Sequence, residues 1–289
     1  RVRDWQALRN TVHWLDARET AARTGMGSYH GALADSSGGM INPLAYAWGL
    51  ARLAQAAGAQ LLEGTLVTEV TEAGGGWRVE TANGQIRARK VALCTNADDE
   101  GVARRLARQV IPLQVYQIAT EPLSRADTDR FSPNREPVSD TRSNIFTFRL
   151  DADNRLISGG MAIVPWGAER RMGRRIARRL ASELHLASVP RVEHVWRGTA
   201  AVTTDFLPHI YRLGPGFLGA TGCNGRGVAM TTMLGEVLAD ALTGAGADEL
   251  PVPVSEPVPV PMRALARAAP SVFLMQGLWN DWRTTRRKA

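Results

Sequence analysis

The spacing of apolar and polar positions changes period several times along the chain, and each change marks an element. Residues 14–24 (WLDARETAART) read as a helix, because Asp16 is a capping residue and Glu19 follows three residues later, as in a capping box. Residues 42–58 (NPLAYAWGLARLAQAAG) predict a longer helix, with Asn42 at its N-cap, Pro43 in its first turn and Gly58 at its end. Leu44, Ala47, Leu50, Ala51 and Ala54 recur there at helical spacing, which predicts a face turned into a core. Period two then takes over: 59–64, 66–73, 77–82 and 90–97 predict short strands, with a hairpin turn at Asn83-Gly84.

Residues 109–120 are again strand-like, and the Pro-, Asp-, Arg- and Ser-bearing stretch through Thr141 predicts a long irregular connection. Segments 144–150 and 155–162 predict an antiparallel pair in a second domain. Over 169–185, Met172, Ile176, Leu180 and Leu184 form the inner stripe of a helix, and Arg170, Arg171, Arg174, Arg175, Arg178 and Arg179 its other face. A solvated face is the ordinary outcome of such a pattern, and an acidic partner is the alternative. No RNA-binding signature or interleaved aromatics accompany it, so no nucleic-acid partner is expected. Segments 192–205 and 216–221 predict strands and 225–244 a helix closing at Gly244; the prolines of 251–261 predict extended chain. Helices interspersed with strands make the fold class α/β and α+β, not a helical bundle.

Composition narrows the class only partly. The 289 residues suffice for one large or two modest domains. A mean hydropathy of -0.18 fits a folded chain. The charge of +7 favours anionic ligands or partners without naming one. Cys94 and Cys223 form no CxxC unit, so a reducing, cytoplasmic setting is expected, with a disulfide between them left open. No apolar run of transmembrane length and no secretory pattern is present, so no transmembrane segment is expected. The chain begins with Arg1, which leaves open a processed or partial product. His13, His30, His185, His194 and His209 lack zinc-ligand spacing, no metal is expected, and no GxSxG nucleophile elbow occurs.

The most specific signal is late in the chain. In GFLGATGCNGRGVAMTTMLGEVLADAL (216–242), Gly222, Gly225 and Gly227 separate a strand from a helix. Glycines there let backbone approach a ligand, and a helix N-terminus presents free N–H groups and positive potential. The order GxxGxG is neither the dinucleotide pattern GxGxxG nor a phosphate loop, and a purely structural turn is the alternative.

The wider segment 196–242 closely resembles the C-terminal cofactor-domain segment of flavin-dependent amino-acid and amine oxidases of the D-amino-acid oxidase superfamily. Trp196, Gly198, Thr204-Asp205, Pro208, Gly222, Asn224-Gly225, Gly227 and Gly235 stand in that family's arrangement. Segments 38–70, 91–97 and 140–160 resemble further parts of the family in the same order. The resemblance implies the downstream part of a two-domain FAD/NAD(P)-type flavoprotein with a mixed-sheet substrate domain. On that basis 1–105 is the remainder of the FAD-binding domain with the first interdomain crossings, and 106–204 is the antiparallel-sheet substrate domain. Residues 205–250 return a strand and helix to the FAD domain, and 251–289 form a Pro-rich extended segment and tail.

The implied cofactor is FAD, held by Gly222, Cys223, Asn224, Gly225, Arg226, Gly227 and Val228 beside its ring system. Tyr116, Phe148, Arg149 and Trp196 are the substrate-pocket candidates, with Arg149 able to clamp a carboxylate by a bidentate fork. The implied reaction oxidises the C–N bond of an amino acid or secondary amine to an imine, which water hydrolyses; no catalytic side chain is assigned. Related sarcosine oxidases carry an oxygen-activating lysine two residues after the last loop glycine, where this chain has Ala229. That departure weakens the oxidase reading and leaves open a dehydrogenase that passes electrons to another acceptor. Family members normally begin with a βαβ unit whose GxGxxG turn carries the FAD diphosphate, and this sequence starts downstream of it. A complementary N-terminal chain or segment, a piece of a longer protein, and an inactive scaffold or interaction subunit are the three readings of that departure.

Overall fold

The computed structural model describes residues 2–8, 11–164, 166–246, 249–266 and 268–286. The chain opens with α1 (Val2–Leu8), β1 (Val12–Asp16), α2 (Ala17–Thr24) and β2 (Gly31–Asp35). Next come α3 (Pro43–Ala56), β3 (Val67–Ala73), β4 (Gly76–Thr81), β5 (Gly84–Ala88) and β6 (Val91–Leu93). The middle holds α4 (Arg104–Ala107), β7 (Ile111–Pro122), α5 (Arg125–Arg130), β8 (Val138–Ser139), β9 (Thr147–Leu150), β10 (Arg155–Met161) and α6 (Ala168–Glu183). It closes with β11 (Val192–Val202), β12 (His209–Gly214), β13 (Phe217–Thr221), α7 (Gly227–Thr243), β14 (Val254–Ser255), α8 (Arg263–Ala266) and α9 (Ala269–Arg286).

Two compact units divide the chain: one is Arg1–Asn42, Gln114–Gly198 and Ser271–Ala289, the other Pro43–Leu113 and Thr199–Pro270. This differs from the division expected from sequence, because 1–42 and 271–289 join the unit built on the middle of the chain. Long-range packing decides that membership, and no local pattern announces it.

In the first unit a five-stranded sheet has the order β11-β7-β10-β9-β8. β10 runs antiparallel to both β7 and β9, as the sequence predicts for the β9–β10 pair. Phe148 lies opposite Ser158, which lies opposite Ile118. Since side chains alternate with period two, Tyr116, Ile118, Phe148, Leu150 and Leu156 share one face. That face packs on the predicted stripe Met172, Ile176, Leu180 and Leu184, all buried. Two stretches differ from expectation, one at the start of the chain and one in its middle. Asp16 does cap α2, accepting from the Glu19 N–H at 2.8 Å while Glu19 accepts from the Asp16 N–H at 2.9 Å. A capping residue has extended backbone, so Trp14–Asp16 belong to β1, where Trp14 pairs with Leu33 of β2. The connection before Thr141 contains α5, capped by Ser124, and the short strand β8.

The second unit is layered. Its central sheet has the order β14-β12-β13-β6, with β12 and β13 antiparallel and the two flanking strands parallel to their neighbours. Ile210 and Leu218 face Leu234, Val237 and Leu238 of α7. The alternate positions Tyr211 and Phe217 face Val70 and Trp77 of the meander β3-β4-β5, and the Trp77 ring N–H donates to the Pro215 carbonyl at 2.9 Å. Thr81 pairs with Gly84, so the hairpin turn is Ala82-Asn83 and the strand β5 follows, which the sequence reading did not include. Residues 59–64 form no strand. The predicted inward face of α3 is also not buried: Leu44 is 63% exposed, and Leu50 and Ala47 are exposed too. Helical spacing reports that a face is apolar, not whether another layer covers it.

Candidate functional site

The glycine loop between β13 and α7 is held from below by the turn that follows β11. Gly222 has φ +89°, and a Cβ there would stand 2.8 Å from Thr203 Cγ2 and 3.0 Å from the Leu207 carbonyl oxygen. Only glycine satisfies both the conformation and the space. Asn224, itself left-handed at φ 49°, is the latch. Its Oδ1 accepts from the Thr203 N–H at 2.9 Å, its Nδ2 donates to the Gly222 carbonyl at 2.7 Å, and its own N–H donates to the Ala201 carbonyl at 3.0 Å. The Thr203 hydroxyl donates to the Leu207 carbonyl at 2.8 Å. Asp205 accepts from the Leu207 N–H at 3.1 Å and stands 3.0 Å from His209 Nε2. These bonds, the Leu207 N–H foremost, push the Asp205 carboxyl down to about 2.

Beyond the latch the loop opens. A Cβ at Gly225 or at Gly227 would meet nothing within 4 Å, so neither glycine is kept for protein packing. Gly225 still needs glycine for its φ of +81°, whereas Gly227 does not. The Arg226 N–H donates to the Cys223 carbonyl at 2.8 Å, turning the chain into α7. The N–H groups of Gly227, Val228 and Ala229 find no acceptor among the described residues, and no side chain caps the helix. Together with the dipole of a 17-residue helix, they form a donor set suited to oxygen atoms carrying negative charge. Arg226 and Val228 are exposed beside it. The seven residues predicted to hold the cofactor thus divide by role. Gly222 and Cys223 are buried and Asn224 spends its side chain on the fold, while Gly225, Arg226, Gly227 and Val228 form the accessible rim.

The four predicted substrate residues, all in the first unit, divide by strand parity. Tyr116 and Phe148 are fully buried on the α6 side of the sheet, with the Tyr116 hydroxyl donating to Gln114 Oε1 at 3.2 Å. They are core and do not wall an open pocket. Arg149 pairs across the sheet with Ile157, which pairs with Ala119, and this row points to the other face. There Arg149 Nη2 donates to Gln117 Oε1 at 2.7 Å. Burial pushes the guanidinium pKa down, and no carboxylate pairs with it among the described residues. Val195 approaches Gly173 of α6, while Gly198 lies against Val115, so Trp196 shares the Arg149 side of the sheet; it is 42% exposed. Gln117 escaped sequence reasoning because it becomes Arg149's neighbour only through the register of β7, β10 and β9.

Among the described residues no group of three His, Cys, Asp or Glu side chains is placed to hold a metal ion, and no helix is long and apolar enough to cross a membrane. Cys94 is exposed and Cys223 buried, both as free thiols.

One unit built on a five-stranded sheet and another, layered from sheet and helix and carrying a strand–glycine loop–helix, define a mixed α/β fold of the two-domain flavoprotein class. The chain belongs to the FAD dependent oxidoreductase family, whose profile matches residues 1–241. It is 30% identical over 233 residues to the probable oxidoreductase OrdL of Haemophilus influenzae, covering 79% of this chain and 53% of that protein. It is 28% identical over 275 residues to the gamma-glutamylputrescine oxidoreductase of Escherichia coli, covering 92% and 64%. The chain thus spans about half to two thirds of the length of these relatives. In fold it is similar to L-proline dehydrogenase from P. horikoshii, with a TM-score of 0.69 and 20% identity over 83% of this chain and 66% of that one. Glycine oxidase from Geobacillus kaustophilus matches with a TM-score of 0.65 and 19% identity over 84% and 65%.

Proposed function

We propose that this chain supplies the ring-side part of an FAD site in an enzyme that oxidises the C–N bond of an amino acid or secondary amine to an imine. The observation that carries this reading is the open rim of Gly225 and Gly227 with the three unpaired N–H groups of the first turn of α7. That donor set fits the electron-rich oxygen and nitrogen edge of a flavin, and the exposed Arg226 adds positive potential beside it. When bound, FAD supplies the two-electron oxidising chemistry. The chain's own residues do the rest: the N–H groups and Arg226 hold developing negative charge, and Arg149, braced by Gln117, holds a substrate carboxylate. Trp196 adds an apolar wall on the same face of that sheet. An amine that enters unprotonated needs no dedicated side-chain base. The substrates in the names of similar proteins, proline, glycine and gamma-glutamylputrescine, support an amine or amino-acid substrate class. Ala229, at the position where sarcosine oxidases carry lysine, favours an acceptor other than oxygen as a second reading.

The proposal includes a complementary dinucleotide-binding segment. It is supported by the apolar residues Leu44, Trp48 and Leu53 exposed on α3, and by β6, which ends the sheet among the described residues. Two free thiols accord with a cytoplasmic setting. Protein expressed with that segment should retain FAD, and anaerobic mixing with amino acids or secondary amines should bleach the flavin absorbance. Failure to retain FAD, or bleaching by none of a broad amine panel, refutes the reading.

A further inference from the structure

The first unit carries an exposed surface that neither the glycine loop nor the Arg149 face uses. Helices α6 and α9 are tied to the same two pieces of chain at corresponding ends. At their beginnings, the Arg171 guanidinium donates to the Val164 carbonyl at 2.6 Å and the Ser271 hydroxyl to the Ile163 carbonyl at 2.7 Å. Further along, Arg179 donates to the carbonyls of Asn144 at 2.6 Å and Ile145 at 3.1 Å, while Asp281 accepts from the N–H groups of Ser143 at 3.1 Å and Asn144 at 2.9 Å. The two helices therefore run side by side in the same direction along one surface of the unit.

Each presents a different chemistry to solvent. On α6, Arg171, Arg174, Arg175 and Arg178 recur at i, i+3, i+4 and i+7, so they share one exposed face. The ion pairs recorded on this helix engage Glu169, Arg179 and Glu183 instead, and no carboxylate pairs with the four arginines among the described residues. On α9, Leu274 and Gly277 turn inward, but Val272, Met275, Trp279 and Trp282 form a second apolar stripe on the outside, with Trp279 58% exposed. Phe273 is 72% exposed, and Trp166, in the loop that leads into α6, is 89% exposed. A helix apolar on both sides normally has both sides covered. Here the outer side is exposed, and the exposed arginine row is carried by α6, the helix tied to the same two pieces of chain.

We propose that this α6–α9 surface binds peripherally to anionic phospholipid bilayers. Exposed aromatic and aliphatic side chains on one helix and an exposed arginine row on the other match the two layers of a membrane interface, with the acyl boundary taking the rings and the phosphates taking the guanidinium groups. Val272 and Met275, interleaved with the tryptophans, favour a lipid phase over nucleic acid, since aliphatic groups do not stack on bases. The binding is interfacial, because no described helix is long and apolar enough to span.

The test is flotation of the purified protein with vesicles of phosphatidylcholine alone or mixed with phosphatidylglycerol. The protein should float only with the mixed vesicles and detach as salt is raised. Each arginine near an anionic surface contributes roughly a factor of five, so R174E/R175E/R178E should lower the partition coefficient by about 100-fold or more. W166S/W279S should weaken binding while keeping its salt dependence. Circular dichroism melts should match the parent, because every substituted side chain is exposed. Equal flotation with both vesicle types, no flotation with either, or undiminished binding of the arginine variant overturns the proposal. Retention on polyglutamate without flotation also overturns it and assigns the surface to an acidic protein partner. Flavin content, read on the same samples, should be unchanged.

Discussion

Two glycines five residues apart in one loop should respond to the same substitution in opposite ways. Gly222→Ala places a methyl 2.8 Å from Thr203 Cγ2 and 3.0 Å from a backbone oxygen, at φ +89°. A left-handed non-glycine residue costs about 1–2 kcal/mol, and overpacking a tight site costs about 1–3 kcal/mol more. The sum, roughly 2–5 kcal/mol, corresponds to a fall in Tm of about 4–20 °C for a domain of this size. Gly227→Ala places its methyl in open space at the first position of α7, where alanine suits a helix better than glycine by up to about 1 kcal/mol. Its Tm should hold or rise slightly. If the open space is where the flavin approaches, the same methyl obstructs binding by about 1–3 kcal/mol, or about 5- to 150-fold in Kd. Thermal melts by circular dichroism and flavin titration by fluorescence quenching measure the two effects separately. A G227A protein that binds FAD as tightly as the parent refutes the ligand-facing assignment of the rim. A G222A protein that melts with the parent refutes the packing account of the latch.

Arg149→Met should lower kcat/KM for carboxylated amines about 10- to 150-fold, the value of charge-assisted hydrogen bonds of about 1.5–3 kcal/mol, and leave neutral amines nearly unaffected; equal losses on both would remove the clamp. Gln117→Leu should produce a smaller loss with the same selectivity, measured on the same substrate pair. Asp205 has a depressed carboxyl in the folded chain, so its stabilisation is present above its ordinary value of 3.8 and is lost as pH falls toward about 2. Asp205→Asn should therefore flatten the urea midpoint across that interval, and an unchanged pH slope would contradict the hydrogen-bonded turn. Leu180→Ala, at a fully buried position on α6, should cost about 2–5 kcal/mol, against within about 0.5 kcal/mol for the exposed Arg174→Ala, both read by denaturant unfolding.

Much of this molecule was legible locally. The Asp16–Glu19 capping box, the stripe Met172, Ile176, Leu180 and Leu184, and the strand–loop–helix around Gly222 each depend on residues close in sequence. Their spacing fixes backbone period and termini whatever surrounds them. The missed elements had weak local signals. The strand β5 (GQIRA) alternates too briefly to stand out, and α5 lies within polar, proline-containing sequence that reads as loop.

What the sequence alone determined, then, was the capped start of α2, the buried stripe of α6 and the strand–loop–helix around Gly222, and the family that the loop motif marks. Only the tertiary structure decided what faces what. It put Arg149 on one side of a sheet and Tyr116 and Phe148 on the other, through the register of β7, β10 and β9, and the approaches of Val195 to Gly173 and of Gly198 to Val115 set Trp196 on the Arg149 side. Tertiary packing also left the apolar face of α3 exposed, and gave three glycines of one motif two different tasks. The physical reason is common to all of these. Periodicity is a property of consecutive residues, whereas burial, close approach and an unpaired N–H are properties of whatever atoms the rest of the chain brings opposite them.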